Sequence, residues 1–198
     1  TDPASVAAAA AHAGDVGIVV NNAGIALGAS VLAADASDLR QELEGLCGAI
    51  NGDYGDLDWM PLRYIHRTVA RKRVPGLCRA ARVGLVTPLR DGMNLVAKEY
   101  VVAQEPEDPG VLVLSRFAGA AEQLKEALLV NPYDTQGMAD AIQTALRMPL
   151  SERQWRHERL MERIQRQDVH WWRNSFLQAL RDEAAPPATA PAGAVAAT

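Results

Sequence analysis

The feature that most limits what this chain can become is the regular return of short apolar runs between longer helix-forming stretches. Val16-Gly17-Ile18-Val19-Val20, Leu62-Arg63-Tyr64-Ile65-His66, Val83 to Val86, Gly110 to Leu114 and Leu128-Leu129-Val130 read as strands. Between them, residues 36–50, 71–81, 94–104, 118–127 and 135–147 read as helices, with Asp35 and Asp134 as candidate caps. Strands this short and this apolar need cover on both faces, and the helices between them supply it. The expected class is therefore α/β, a doubly wound, parallel, Rossmann-like sheet. An Ala-rich helix over 4–13 precedes the first strand. Residues 151–183, opened by Ser151, form charged helices with Trp155, Leu160, Ile164, Trp171, Trp172, Phe176 and Leu180 on their apolar faces. Residues 184–198 contain only Ala, Pro, Thr, Gly and Val, and are expected to stay disordered.

Charge and composition exclude several classes. Twenty Lys and Arg against 24 Asp and Glu give a formal charge of −4, so no general attraction to nucleic acid or to an acidic membrane is expected. The longest apolar stretches fall well short of the roughly 20 residues needed to cross a bilayer, and Thr1-Asp2-Pro3 does not open a signal peptide. Cys47 and Cys78 stand apart, as do His12, His66, His157 and His170. No metal is expected, and the thiols fit a reducing, cytoplasmic setting.

The segment Asp15 to Gly24, with Asn21-Asn22-Ala23-Gly24 at its end, resembles the fourth strand and NNAG motif of short-chain dehydrogenases/reductases, a likeness running over residues 1–44. The chemistry of that family is missing. Its Tyr-x-x-x-Lys pair sets an amine one helical turn from a phenol and lowers the phenol's pKa. None of Tyr54, Tyr64, Tyr100 and Tyr133 has a lysine four residues on, and there is no Gly-rich phosphate turn. Hydride transfer is not expected.

A second candidate lies further on. Residues 59–90 hold Arg63, Arg67, Arg71, Lys72, Arg73, Arg79, Arg82 and Arg90 and no Asp or Glu. This basic stretch leads into a strand, a loop and a helix start, Val83 to Asn94. In an open parallel sheet, ligands lie beyond the carboxyl ends of strands, where helix N-termini offer unpaired N–H groups to anions. The amides from Gly92 through Val96 are placed to hold a diphosphate or sugar hydroxyls, and Gly92 permits close approach. From the residues alone, Asp91 reads equally as a cap or as a sugar ligand. Glu99 reads equally as a partner of a surface cation or as an acceptor for paired ribose hydroxyls.

The runs Ile50 to Gly55, Trp59 to Tyr64, Val83 to Glu99, Gly110 to Ala121 and Val130 to Asp134 resemble the C-terminal lobe of trehalose-6-phosphate synthase, over about 45–183. The run Thr87 to Glu99 carries most of that likeness. The resemblance implies a single lobe of GT-B C-terminal type with C-terminal helices. It also implies a retaining glucosyltransferase that moves glucose from UDP-glucose to glucose 6-phosphate without a metal or resident cofactor. Carried over by position, Asp91 would hydrogen-bond the transferred glucose. The Gly92-Met93-Asn94-Leu95 backbone would hold its hydroxyls and the distal phosphate, Leu95 and Val96 would abut the diphosphate, Glu99 would bind ribose, and the Val69 main chain would meet uracil. The family's acceptor-binding lobe, and the Arg and Lys that neutralise the diphosphate, have no counterpart in these residues. The expectation is a chimera or truncated product that binds the nucleotide sugar weakly and is inactive alone, self-associating or working with a separate acceptor lobe. Three segments are expected: dehydrogenase-like 1–44, nucleotide-sugar-binding 45–183, and tail 184–198.

Overall fold

Four strands pair in parallel in their chain order: β1 (Ile18–Asn21), β2 (Val83–Val86), β3 (Val111–Ser115) and β4 (Leu128–Val130). The computed structural model describes residues 18–21, 36–65 and 69–184. The register sets Ile18 beside Val83, Val83 beside Val111 and Val113 beside Leu128. Because side chains alternate along a strand, this register sorts the sheet into two cores. Val86, Leu112, Leu114 and Leu129 face one way, and Val83, Leu85, Val111, Val113, Leu128 and Val130 the other.

Six α-helices are described: α1 (Ala36–Tyr54), α2 (Val74–Ala80), α3 (Leu95–Ala103), α4 (Thr135–Arg147), α5 (Leu150–Arg166) and α6 (Val169–Ala184). The first core is closed by Cys78 of α2, Ala97, Tyr100 and Val101 of α3, and Leu160 of α5. The second is closed by Met138, Ala141 and Ala145 of α4, which recur at helical spacing and so share one face. Each fully buried Leu or Val contributes about 2 kcal/mol of hydrophobic stabilisation. Helices on both faces of an all-parallel sheet are the architecture the alternating pattern predicts.

Tyr100 sits at the centre of the first core, its ring packed on Gly84 and its hydroxyl donating to Ala81 O at 3.1 Å. A side chain at residue 84 would stand 2.7 Å from that ring, so the close approach requires glycine. At the amino end of the sheet, Asp108 accepts from both Arg82 (2.9 and 3.2 Å) and the buried Arg153 (2.6 Å). These two guanidiniums hold its carboxyl down to about 2. Gln104 bridges the same end, donating to Cys78 O at 2.6 Å and accepting from Gly110 N at 2.8 Å.

Several local expectations are corrected. Residues 62–65 form no strand: the Asn51 side chain accepts from Leu62 N at 2.9 Å and donates to Leu62 O at 3.0 Å, taking the groups a ladder would use; His66 lies outside the described residues. The helix expected over 71–81 is a 3₁₀ turn (Arg71–Arg73) followed by α2, which has Pro75 in its first turn, where a missing N–H is tolerated. The helix expected over 118–127 shrinks to a 3₁₀ turn at Gly119–Glu122, because its first backbone amides bond across to another loop. Ser151 does not cap α5; Pro149 holds that position and no side chain caps it. The helix at 4–13, Asn22-Ala23-Gly24 and the tail beyond Ala184 lie outside the described residues.

Candidate nucleotide-sugar site

The loop that leaves β2 delivers a helix start at the carboxyl edge of the sheet. Pro88 is buried, the backbone turns at Asp91, and Asn94 opens α3 with φ 71° and ψ 86°. A residue with a β-carbon rarely holds this left-handed region, and Asn is among the few that do. Its side chain secures the turn from both sides, Oδ1 accepting from Ala97 N at 3.0 Å and Nδ2 donating to Asp91 Oδ2 at 3.0 Å. Asp91 Oδ1 accepts from Met93 N, also at 3.0 Å.

Asp91 is therefore a cap of its own loop, and each oxygen keeps lone-pair capacity for a further donor. The Met93 amide, counted among the anion-holding set from the sequence, is committed to Asp91. Among the described residues, the amides of Gly92, Asn94, Leu95 and Val96 meet no acceptor. They stand where the helix dipole is positive. A β-carbon built on Gly92 meets no atom within 4 Å, so the protein's own packing does not require glycine there.

Glu99 follows one turn after Leu95 on the exposed side of α3 and makes no hydrogen bond or ion pair with a described residue. Of its two sequence readings, that of a surface partner to Arg or Lys finds no such partner among the described residues. Its charge reaches the buried Cys78 of α2, whose thiol is pushed up to about 11, first by burial and then by Glu99. The carboxylate thus lies near α2, the helix entered from Val69 through Arg73. Val69 is half-buried in irregular chain just before that turn.

The basic stretch divides. Arg79 and Arg82 are spent at the amino end of the sheet, on Glu105 at 2.7 Å and Asp108 at 2.9 Å. Arg63, Arg71, Lys72, Arg73 and Arg90 pair with no described acid, and neither does Arg116, which follows β3. Arg90 immediately precedes Asp91 and Arg116 immediately follows β3, and both are exposed. Lys98 donates to Gln123 at 2.5 Å, and partial burial lowers its pKa. Among the described residues no group of three or more His, Cys, Asp or Glu could hold a metal, and no described helix is long and apolar enough to cross a membrane.

Sequence reasoning missed the second loop at this edge. After β3, Asp91 and Ala118 form a parallel bridge, with Gly119 N donating to Asp91 O at 3.0 Å and Ala120 N to Met93 O at 2.7 Å. The available signal was the run of small residues Ala118-Gly119-Ala120-Ala121, directly after an apolar strand.

The family model for glycosyltransferase family 20 matches residues 18–182. The chain belongs to glycosyltransferase family 20. It is 56% identical over 144 residues to a trehalose-6-phosphate synthase of Enterobacter sp. (strain 638), a stretch covering 73% of this chain and 30% of that protein. It is 59% identical over 133 residues to one from Sinorhizobium fredii, covering 67% and 29%. Among solved structures, an alpha,alpha-trehalose-phosphate synthase (UDP-forming) from Burkholderia xenovorans in complex with glucose-6-phosphate matches with TM-score 0.69 and 56% identity, covering 73% of this chain and 32% of that one. The structure described as "Trehalose-6-phosphate from E. coli bound with UDP-2-fluoro glucose" matches with TM-score 0.71 and 43% identity, covering 90% and 40%. The chain spans about 30% of the length of the curated relatives it matches. The family match starts at the β1 strand, upstream of the 44/45 boundary drawn from the sequence.

Proposed function

We propose that this family 20 chain is the donor-binding part of a trehalose-6-phosphate synthase-like glucosyltransferase, and that residues 45–183 hold UDP-glucose at the carboxyl edge of the sheet. The observation that carries the reading is that, among the described residues, the amides of Asn94, Leu95 and Val96 at the start of α3 meet no acceptor and Glu99, one turn on, has no ion-pair partner. Amides on a positive helix end suit a diphosphate, and a free carboxylate suits the paired hydroxyls of ribose. Asp91, fixed by Met93 and Asn94, retains lone pairs for a glucose hydroxyl. Val69 is assigned to uracil through its main chain. Solved relatives described with UDP-2-fluoro glucose and with glucose-6-phosphate support these two substrate classes.

UDP-glucose enters as substrate, and no resident cofactor or metal is invoked. The departing diphosphate, on this reading, helps to deprotonate the acceptor on the same face of the sugar. Turnover also requires an acceptor held in line with the donor, and orientation of both substrates supplies a large part of the rate. By itself the chain is expected to bind donor weakly and to transfer little. Isothermal titration with UDP and with UDP-glucose tests this: a folded sample silent at millimolar ligand overturns it.

A second reading, as a non-enzymatic association module, is favoured by a separate observation. Leu43, Leu46, Ile50 and Tyr54 of α1 are exposed at helical spacing, as are Trp172, Phe176 and Leu180 of α6, with the Trp172 and Phe176 rings stacked at 5.4 Å. A separate acceptor lobe or a second copy would cover such faces. A strictly monomeric species in light scattering at high concentration would count against self-association.

A further inference from the structure

The β3–β4 loop does more than pass by the donor loop. Asp91 N donates to Phe117 O at 3.3 Å, Gly119 N to Asp91 O at 3.0 Å, and Ala120 N to Met93 O at 2.7 Å. Within a trans peptide the carbonyl and the next N–H point in opposite directions. Turning the Asp91 carbonyl toward Gly119 therefore turns the Gly92 N–H away from the β3–β4 loop. Turning the Met93 carbonyl toward Ala120 does the same for the Asn94 N–H. These are two of the four acceptor-free amides of the site.

The brace works only at short range. A β-carbon on Gly119 would overlap the Gly92 carbonyl oxygen and stand 2.8 Å from the Gly92 carbonyl carbon and 3.3 Å from Met93 Cα. The obstacle is backbone, which cannot swing aside as a side chain could. Gly119 does not occupy the left-handed region, so space rather than torsion requires glycine. Ala118 and Ala120, both buried, keep the rest of the loop equally slender.

We propose that Gly119 is a positioning residue for the nucleotide-sugar site: by letting the β3–β4 loop close on Asp91–Met93, it aims the Gly92 and Asn94 amides at the ligand's diphosphate. This rests on the donor-binding reading above. Gly119 itself touches no ligand; it acts through the neighbouring loop.

The test compares Gly119→Ala with Gly137→Ala in the full chain. Gly137 lies outside the donor loop at the start of α4, where a β-carbon would stand 2.9 Å from the Asp134 carboxyl carbon, an obstacle that is a side chain and not backbone. Gly119→Ala is expected to lower the melting temperature, and Gly137→Ala, inside a helix and against a side chain only, to change it less. UDP affinity by titration is expected to fall about tenfold in Gly119→Ala, the scale of one misaimed hydrogen bond to a charged group, and to stay within about twofold in Gly137→Ala. Amide exchange without ligand is expected to quicken at Gly119 and Ala120 in the first variant while Leu112 to Leu114 keep their protection. Should Gly119→Ala fail to fold, Ala118→Gly loosens the same loop without adding an atom and is expected to weaken UDP by roughly two- to fivefold. Unchanged UDP affinity in a folded Gly119→Ala chain, or equal losses in both variants, overturns the positioning role alone. An unmodified chain that binds no UDP overturns the donor-binding reading and this role with it.

Discussion

Asn94 joins the torsion of the donor loop to its hydrogen bonds, and a pair of substitutions separates the two. In Asn94→Ala, loss of the cap to Ala97 N costs about 1 kcal/mol. Holding a residue with a β-carbon and no local hydrogen bond at φ 71° costs about 1–2 kcal/mol. Removing the donor to Asp91 Oδ2 costs about 1 kcal/mol. Because Asp91 and Asn94 belong to one network the terms do not add fully, and about 3 kcal/mol is expected. Asn94→Gly keeps the torsion free of penalty, and a glycine cap loses only a few tenths, so about 1–1.5 kcal/mol is expected. For a chain of this size the two variants should melt roughly 6–12 °C and roughly 2–6 °C below the parent. Urea denaturation measures the difference directly, with equal m-values required so that a change in the unfolded state is not read as strain. If the Ala and Gly variants agree within about 0.5 kcal/mol, the left-handed torsion carries no energetic weight and the reasoning fails.

Other outcomes follow from the same geometry. Glu99→Gln should leave the melting temperature unchanged, since Glu99 is exposed and unpaired among the described residues, while weakening both UDP and UDP-glucose about tenfold in titration; equal affinity would remove the ribose assignment. Asp108→Asn should destabilise the fold at neutral pH by about 1 kcal/mol, a figure kept small because the carboxylate is more than half exposed. The sign follows from its pKa, which Arg82 and Arg153 depress from 3.8 to about 2. That stabilisation is complete above the unfolded value and lost as pH falls through about 2. Thermal melts of parent and variant should therefore converge between pH 4 and pH 2 and stay apart above it.

Much of the fold was legible because strand burial and helix amphipathicity leave local marks. Val83–Val86 and Leu128–Val130 were placed to the residue, and β3 and α3 within a single residue at each end, since apolar runs and cap residues announce themselves. The donor loop was legible for a similar reason: Asp91, Gly92 and Asn94 are turn and cap residues set between a strand and a helix. Two of the misplaced elements share a cause. Leu62 bonds to the Asn51 side chain, and Gly119 and Ala120 bond to Asp91 and Met93. In each case the partner is distant in sequence, and the local propensity for strand or helix lost to it.

By itself, then, the order of residues determined the α/β class, the two-faced burial of the sheet and the strand, loop and helix start around Asp91 to Asn94, because hydrophobic periodicity, capping and turn chemistry act over a few neighbouring residues. Only the tertiary structure decided which cations stay free. Arg79 and Arg82 look no different from Arg90 in the chain, yet the first two meet Glu105 and Asp108 across the amino end of the sheet while Arg90 stands unpaired, among the described residues, at the other. It also decided that Asp91 caps its own loop, that the Met93 amide is taken, and that Gly119 must be glycine. Those outcomes depend on which backbones approach within a few ångströms, and that proximity is set by the packing of whole strands and helices rather than by any run of sequence.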